Sequence, residues 1–444
     1  MDRISNLPDE IIFHVGSFLS AKEVAFTTVL SKRWHILSSI IHDHLHFDGS
    51  KEDIKDFMDG VLSLPSTTRL RKFSSQWCSE DDIDSVQYDR INGCLREVLK
   101  RGLFELDLWI NDQGGNYSLP FEVFTCKTLT KLSLGSGFAI ESLPQNVLLP
   151  SLKTLFLHSI RFYEFGLCAF KTLLDSCPVL EELTMRGINW ELWKWSRVVS
   201  SLSLKKLTIT RQGWDGFDDS DFKSISFDIP GLVYLKYFDY VPKEYGNVNL
   251  SSLVGAELYL FPEENYMWEE CDAKRFRPVS FLKGLKNVET LNLYTIQTAK
   301  MFHVFRGILP VFEKLSHLKV NLSNFCWTPL PILIKKSPNL KTLTMDGPLH
   351  YQSFYYCAES TFCECVSDYS FLVSCPLLEV LKIIEYYGSL EELLQMKRIL
   401  GKLSCLEHVE VHSRATGESK VKLLSDLQMI PRASSKCKFE VVSN

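Results

Sequence analysis

The chain has 444 residues, 45% of them hydrophobic, and a formal net charge of −5. The apolar content excludes a globally disordered chain, and the acidic balance argues against a nucleic-acid groove or an anionic-membrane surface as partner. No stretch reaches the roughly 20 apolar residues of a membrane span. The N-terminus shows no apolar signal run, and the 13 cysteines are odd in number and form no CxxC pair, so a reducing compartment, cytoplasm or nucleus, is expected.

In chain order, the first segment reads as a small helical module. Pro8 suits the first helical position, where its missing N–H costs nothing, and Asp9 and Glu10 sit where the helix dipole favours negative charge. Ile11, Val15, Phe18 and Leu19 then recur at helical spacing, with Ile12 widening the stripe. Ser20 and Glu23 have capping-box spacing and would open a second helix carrying Val24, and Ser31 can cap a third carrying Trp34. So few residues cannot bury this much apolar surface internally, so the module has to dock on something.

These residues resemble the F-box in its plant form: Leu7-Pro8-Asp9-Glu10, the Phe18-Leu19 pair, and Val29-Leu30-Ser31-Lys32-Arg33-Trp34. The resemblance implies binding to the Skp adaptor and, through it, to a cullin. On that basis Leu7, Pro8, Ile11, Ile12, Leu19, Val24, Leu30 and Trp34 are expected to divide between the module's core and its adaptor face. An N-terminal cap for the domain behind is the plainer reading, but a cap has no reason to carry these two motifs at this separation. Gly16 lies mid-helix, and Leu37-Ser38-Ser39 stands where the family pattern often ends in Leu-Trp.

Residues 48–100 are less regular. Arg69–Phe73 reads as an early strand, Asp81–Asp84 as a solvated loop, and Asn92–Leu99 as a helix leading into the first clear repeat. His42, His44 and His46 alternate and, with His35, could bind a metal. With no cysteine pair nearby they read instead as a solvated segment, and no metal is expected.

From about residue 100 a Leu-x-x-Leu-x-Leu pattern recurs in 12 units, beginning at Leu103, Leu129, Leu152, Leu180, Leu204, Leu232, Gly255, Val288, Leu315, Leu340, Leu378 and Leu406. Most starts lie 23–28 residues apart, the leucine-rich-repeat range, while gaps of 33 before Val288 and 38 before Leu378 hold insertions or degenerate repeats. Alternate apolar residues would point inward from a short parallel strand, and each unit would stack on the last. Phe170, Leu173, Leu174 and Cys177 fall at i, i+3, i+4, i+7, as do Met396, Ile399, Leu400 and Leu403, which predicts two of the connecting helices. Ser176-Cys177-Pro178 and Ser374-Cys375-Pro376 precede repeat starts, where proline ends a helix and the cysteine is best read as packing.

The C-terminal quarter, with Cys375–Lys382, Met396–Leu400, Leu406–Val409 and Pro431-Arg-Ala-Ser-Ser-Lys-Cys437, resembles the FBD region of plant F-box/leucine-rich-repeat proteins. The expected fold is thus α/β: a three-helix F-box over 1–47, linker and degenerate repeats over 48–100, a curved leucine-rich-repeat solenoid with one parallel strand per repeat over 101–339, and an FBD-like cap over 340–444.

No phosphate loop, nucleophile elbow or His-Glu-x-x-His motif is present, so neither an enzyme nor a cofactor is expected. Lys205-Lys206 and Lys335-Lys336 fall short of a basic patch and read as repeat surface. Trp190, Trp193 and Trp195 read more readily as core packing than as a partner patch. The outward positions of three successive repeats differ: they carry Tyr234, Lys236 and Phe238, then Glu257, Tyr259 and Phe261, then Thr290, Asn292 and Tyr294. Earlier units place Lys131, Ser133, Thr154, Glu182, Thr184, Lys206 and Thr208 there. Aromatics favour strands for reasons unrelated to binding, yet clustered exposed aromatics also mark recognition sites. Tyr234, Phe238, Tyr259, Phe261 and Tyr294 are therefore the candidates for holding a target protein on the concave face. The resemblance implies the target-recognition subunit of an SCF-type ubiquitin ligase. Gly16 and the missing Trp leave a second reading, a leucine-rich-repeat scaffold or receptor acting without ligase assembly.

Overall fold

Each Leu-x-x-Leu-x-Leu repeat becomes one short strand in the computed structural model, hydrogen-bonded in parallel to the strand of a neighbouring repeat. The structure describes residues 7–8, 11, 15, 44–50, 61, 70–78, 85–111, 117–140, 142–162, 169–188, 198–211, 224–262, 268, 270–321, 327, 329–347 and 369–443. The chain divides into two compact units, one of residues 1–204 with 211–217 and one of residues 205–210 with 218–444.

The first unit carries, among the described residues, the strands His44–Ser50, Lys72–Cys78, Glu105–Asn111, Lys131–Leu134, Thr154–His158 and Glu182–Ile188, paired in that order. The early strand thus begins three residues later than Arg69–Phe73 suggests and runs to Cys78. The helix expected over Asn92–Leu99 is present but begins seven residues earlier, running Ser85–Lys100. The inward positions Leu106, Leu108, Leu132, Leu134, Leu155, Leu157, Leu183 and Met185 are each at most 1% exposed, so every repeat adds to one core. At roughly 1.5–3 kcal/mol per fully buried aliphatic side chain, this row is the main driving force of the unit. A second three-stranded parallel sheet, Tyr117–Ser118, Phe138–Ile140 and Arg161–Phe162, lies on the return side of the same repeats.

Helix Ala169–Asp175 buries Phe170, Leu173 and Leu174 as its spacing predicts. Its exit is built by the Ser-Cys-Pro motif. The Ser176 hydroxyl donates to the Leu173 carbonyl at 2.6 Å, and the Cys177 thiol donates to the same carbonyl at 3.2 Å. These bonds satisfy a carbonyl that the helix end leaves open, which gives the motif a structural cause.

The second unit pairs, among the described residues, strands Lys206–Arg211, Tyr234–Tyr240, Gly255–Phe261, Thr290–Leu293, His317–Asn321, Thr342–Asp346, Val380–Ile384, His408–Ser413 and Lys438–Ser443, all parallel. Ser224–Asp228 and Glu244–Asn249 pair on its return side. The helix Leu390–Leu400 opens with a capping box, Ser389 and Glu392 each bonding the other's backbone N–H, and buries Met396, Ile399 and Leu400. The long interval before Val288 holds the helix Val279–Gly284, whose Phe281 and Leu282 are buried.

Repeats are joined by a common bond pattern. In most repeats the residue before the strand and the strand's first residue both donate to one carbonyl of the preceding repeat. Phe104 and Glu105 share the Arg71 carbonyl, and Thr130 and Lys131 share that of Phe104. In the second unit Val254 and Gly255 share that of Val233, and Glu289 and Thr290 that of Val254.

One repeat sits in a different register from the sequence reading. Tyr234 pairs with Gly255, Leu235 with Ala256 and Tyr237 with Leu258, so the unit starts at Leu253 rather than Gly255. Ala256 occupies the inward position that holds leucine in most repeats, which hid the true start. The slip is two residues, so every side chain keeps its face.

Candidate functional site

Strand alternation puts the third, fifth and seventh residues of each repeat on one face of the sheet. In the second unit this face carries a fixed aromatic and ionic cluster. Phe238 lies directly opposite Tyr259, and their rings meet edge to face with centroids 4.2 Å apart. Phe261 closes the group, 4.7 Å from Tyr259 and 6.0 Å from Phe238. Such ring pairs contribute about 0.5–1.5 kcal/mol beyond their buried area. The cluster is therefore held by its own contacts.

Beside it, Glu257 gathers polar groups from two other strands. Lys236 Nζ stands 3.2 Å from Glu257 Oε2, and the Tyr234 and Tyr294 hydroxyls donate to the same carboxylate. Burial works to raise the Glu257 carboxyl, but the hydrogen bonds from Tyr234, Lys236 and Tyr294 outweigh it and hold it below the usual carboxylate range. Burial, then the neighbouring Glu257, push the Tyr234 hydroxyl well above the ordinary phenol value. The Tyr294 ring is flanked by two cations, Lys236 Nζ at 5.9 Å and Lys319 Nζ at 5.4 Å from its centroid. Lys319 is also paired to Asp346 on the next strand at 2.9 Å. A half-exposed ion pair is worth only about 0–1 kcal/mol, so this network does more to orient the rings than to stabilise the fold.

The five aromatic candidates therefore come together around Phe238 and Glu257. Tyr234, Phe238, Tyr259 and Tyr294 are half-buried, whereas Phe261 is only 8% exposed and belongs largely to the packing beneath them. The Lys-carboxylate pattern repeats further along: Lys382 lies opposite Glu410 at 2.6 Å, and His412 Nε2 reaches the same carboxylate at 2.6 Å.

The first unit holds a cluster that the sequence reading missed. Trp109 lies flat over Gly135, where an added Cβ would fall 2.3 Å from the indole. Lying there, the ring reaches across a repeat to Phe156 at 6.0 Å and His158 at 5.0 Å. Its Nε1 donates to Asp107 Oδ1 at 3.0 Å. Phe156 and His158 are parallel, with centroids 6.5 Å apart, and the Arg186 guanidinium stands 5.7 Å from the Phe156 centroid. The signal that could have found it is a Trp at the seventh position of one repeat followed by Gly at the seventh of the next.

Of the adaptor candidates, Leu7 is half-buried and Pro8 exposed. The Ile11 N–H donates to the Pro8 carbonyl at 3.1 Å, which closes a first helical turn. Ile11 is 45% exposed and Val15, one turn on, 40%. Ile12, Leu19, Val24, Leu30 and Trp34 lie outside the described residues, as do His35, His42, Asp81–Asp84, Trp190, Trp193 and Trp195. Lys336 Nζ is spent on the Leu309 carbonyl at 3.0 Å. Among the described residues no group of three metal-ligating side chains occurs, and no helix is long and apolar enough to cross a membrane. In the Pro431–Cys437 motif, Ala433 N–H donates to the Leu400 carbonyl at 3.0 Å, Ser434 and Cys437 are buried, and Arg432 stands 5.1 Å from the Phe439 ring centroid. The motif thus ties the end of a helix to the last strand.

Residues 91–225 match a family model described as the leucine-rich repeats of the FBD-associated F-box protein At5g56370. Over its whole length the chain is 67% identical to the full F-box/LRR-repeat protein At3g62440 of Arabidopsis thaliana. It is 48% identical to the putative F-box/LRR-repeat protein At5g15620 of the same plant, with 99% of each chain covered, and 47% identical to the F-box protein At3g62430, again with 99% of each covered.

Proposed function

The chain belongs to the F-box/LRR-repeat family, and from that membership we propose that it is the substrate-recognition subunit of an SCF-type ubiquitin ligase. Residues 1–47 hold the Skp adaptor and through it a cullin, while the repeats hold a target protein. The chain makes and breaks no bond itself. It raises the local concentration of target beside the ubiquitin-loaded enzyme, so its contribution is proximity.

The observation that carries the reading is the Phe238–Tyr259–Phe261 cluster beside the Glu257 network, a rigid, partly exposed aromatic surface on the sheet face. Aromatics held in place supply contact area at little entropic cost, and a few of them can dominate an interface. The neighbouring exposure of Ile11 and Val15 on one side of the first helical turn supports an adaptor face there. The buried free thiols Cys94, Cys177 and Cys375 fit a reducing compartment, cytoplasm or nucleus.

The test uses the full chain co-expressed with a Skp adaptor. Ile11→Glu is expected to abolish co-purification of the adaptor while leaving the melting of the repeats in place. Tyr259→Ala is expected to leave adaptor binding intact and to cut target capture, read by proximity labelling under proteasome inhibition. If Ile11→Glu binds adaptor as well as wild type, the ligase reading fails and a scaffold acting without ligase assembly replaces it.

A further inference from the structure

Four successive repeats of the first unit, from strand Glu105–Asn111 to strand Glu182–Ile188, present three rows of side chains on their sheet face. At the strand starts the row is Glu105, Lys131, Thr154 and Glu182, with charges of both signs. The middle row is Asp107, Ser133, Phe156 and Thr184. At the strand ends it is Trp109, Gly135, His158 and Arg186. Only this last row combines large rings with a cation and no acid.

Three features make this row a built site rather than a scatter of side chains. Gly135 leaves the space in which the Trp109 indole lies, and Asp107 fixes that indole through Nε1. Trp109, Phe156 and His158 are all half-buried, so their rings are wedged together yet still accessible. Arg186 is exposed, lies in register beside His158, and has no acidic partner within ion-pair distance among the described residues. His158 Nδ1, enclosed in the cluster, likewise has no hydrogen-bond partner among them. A planar guanidinium set over a ring presents its donors edge-on, the geometry that receives a carboxylate in a bidentate pair.

We propose that Trp109, Phe156, His158 and Arg186 form a second recognition site, which takes a peptide segment carrying an acidic side chain next to a large apolar one. The apolar side chain packs on Trp109 and Phe156, and the carboxylate pairs with Arg186. The proposal rests on the reading that this chain captures proteins, but not on ligase assembly or on the Tyr259 surface. A single-stranded nucleic acid also stacks on rings and pairs with arginine, but the chain's net charge of −5 disfavours it.

The experiment pans the full chain, purified with its adaptor, against a phage-displayed library of random 12-residue peptides. It is repeated on Arg186→Glu, on Trp109→Ala and on Gly135→Val, the last of which evicts the indole while keeping Trp109 in the chain. Melting temperatures verify that each variant is folded. Enriched clones are expected to carry Asp or Glu within three residues of Phe, Trp, Tyr or Leu, and to lose binding about tenfold or more on all three variants. Tyr259→Ala is expected to leave these clones bound, which separates this site from the proposed target surface. Failure to enrich any such clone, or clones that bind Arg186→Glu as well as wild type, would overturn the proposal. So would a labelled ten-nucleotide oligouridine that binds wild type and is lost on Arg186→Glu, since it would assign the site to nucleic acid.

Discussion

The Tyr234 ring lies over Gly255: a Cβ added to that glycine would stand 3.2 Å from Tyr234 Cδ2. The two residues are paired across neighbouring strands, and the leaning ring is what brings the Tyr234 hydroxyl to Glu257. Gly255 is thus required by a neighbour's side chain rather than by its own backbone angles. Gly255→Val is expected to displace the ring, break its bond to Glu257 and cost about 1–3 kcal/mol, the usual range for overpacking. Urea unfolding of the full chain checks this, and Gly255→Val combined with Tyr234→Ala should recover part of the loss.

Phe261 and Tyr259 touch, but they should respond differently to truncation. Phe261 is buried at 8% exposure, so Phe261→Ala should lower stability by about 3–5 kcal/mol. Tyr259 is half-buried, and Tyr259→Ala should change melting far less. Parallel thermal melts decide the point; equal losses would mean that both rings serve the core.

Burial pushes the thiols of Cys94, Cys177 and Cys375 up to about 12, 11 and 12. The thiolate is the nucleophile, so these cysteines should resist iodoacetamide in the native chain at pH 8. Cys405 is exposed and should label. Peptide mass spectrometry before and after denaturation reads the difference directly, since all four should label once unfolded.

Burial, and secondarily the Arg186 charge, hold the His158 imidazole below its ordinary value of 6.5. The unfolded chain therefore binds this proton more readily than the native one. Stability is expected to be full above pH 6.5 and to decline as pH falls below it, towards the depressed native pKa. His158→Phe, which keeps a ring against Trp109, should flatten that decline between pH 7 and 5. Melting temperatures across that interval check it.

The repeats were readable because an inward leucine is the cheapest way to continue a shared core, and the positions so identified are buried. The Gly255 register escaped because a shift by two leaves an alternating pattern unchanged, and Ala256 is a weak hydrophobic marker. The aromatics around Tyr259 were visible one strand at a time. The Glu257 network was not, because it depends on which side chains lean across a strand and which glycine lets them. The Trp109 cluster was hidden for the same reason: its members come from four repeats, and the residue that joins them, Gly135, has no side chain to attract notice.

The shared carbonyls between repeats also give assembly a direction. At strand starts in each unit paired amides look back to a carbonyl made earlier in the chain, as Thr130 and Lys131 look to Phe104, and Glu289 and Thr290 to Val254, while at strand ends Ile110 and Tyr386 donate forward to Ser136 and His412. A strand leaving the ribosome therefore meets the acceptor of its first amides already in place, and its leucines meet a half-covered core that they complete. Growth from the N-terminus can keep pace with translation, with little more than one repeat uncovered at a time. A chain stopped between repeats would end on a template awaiting its next strand.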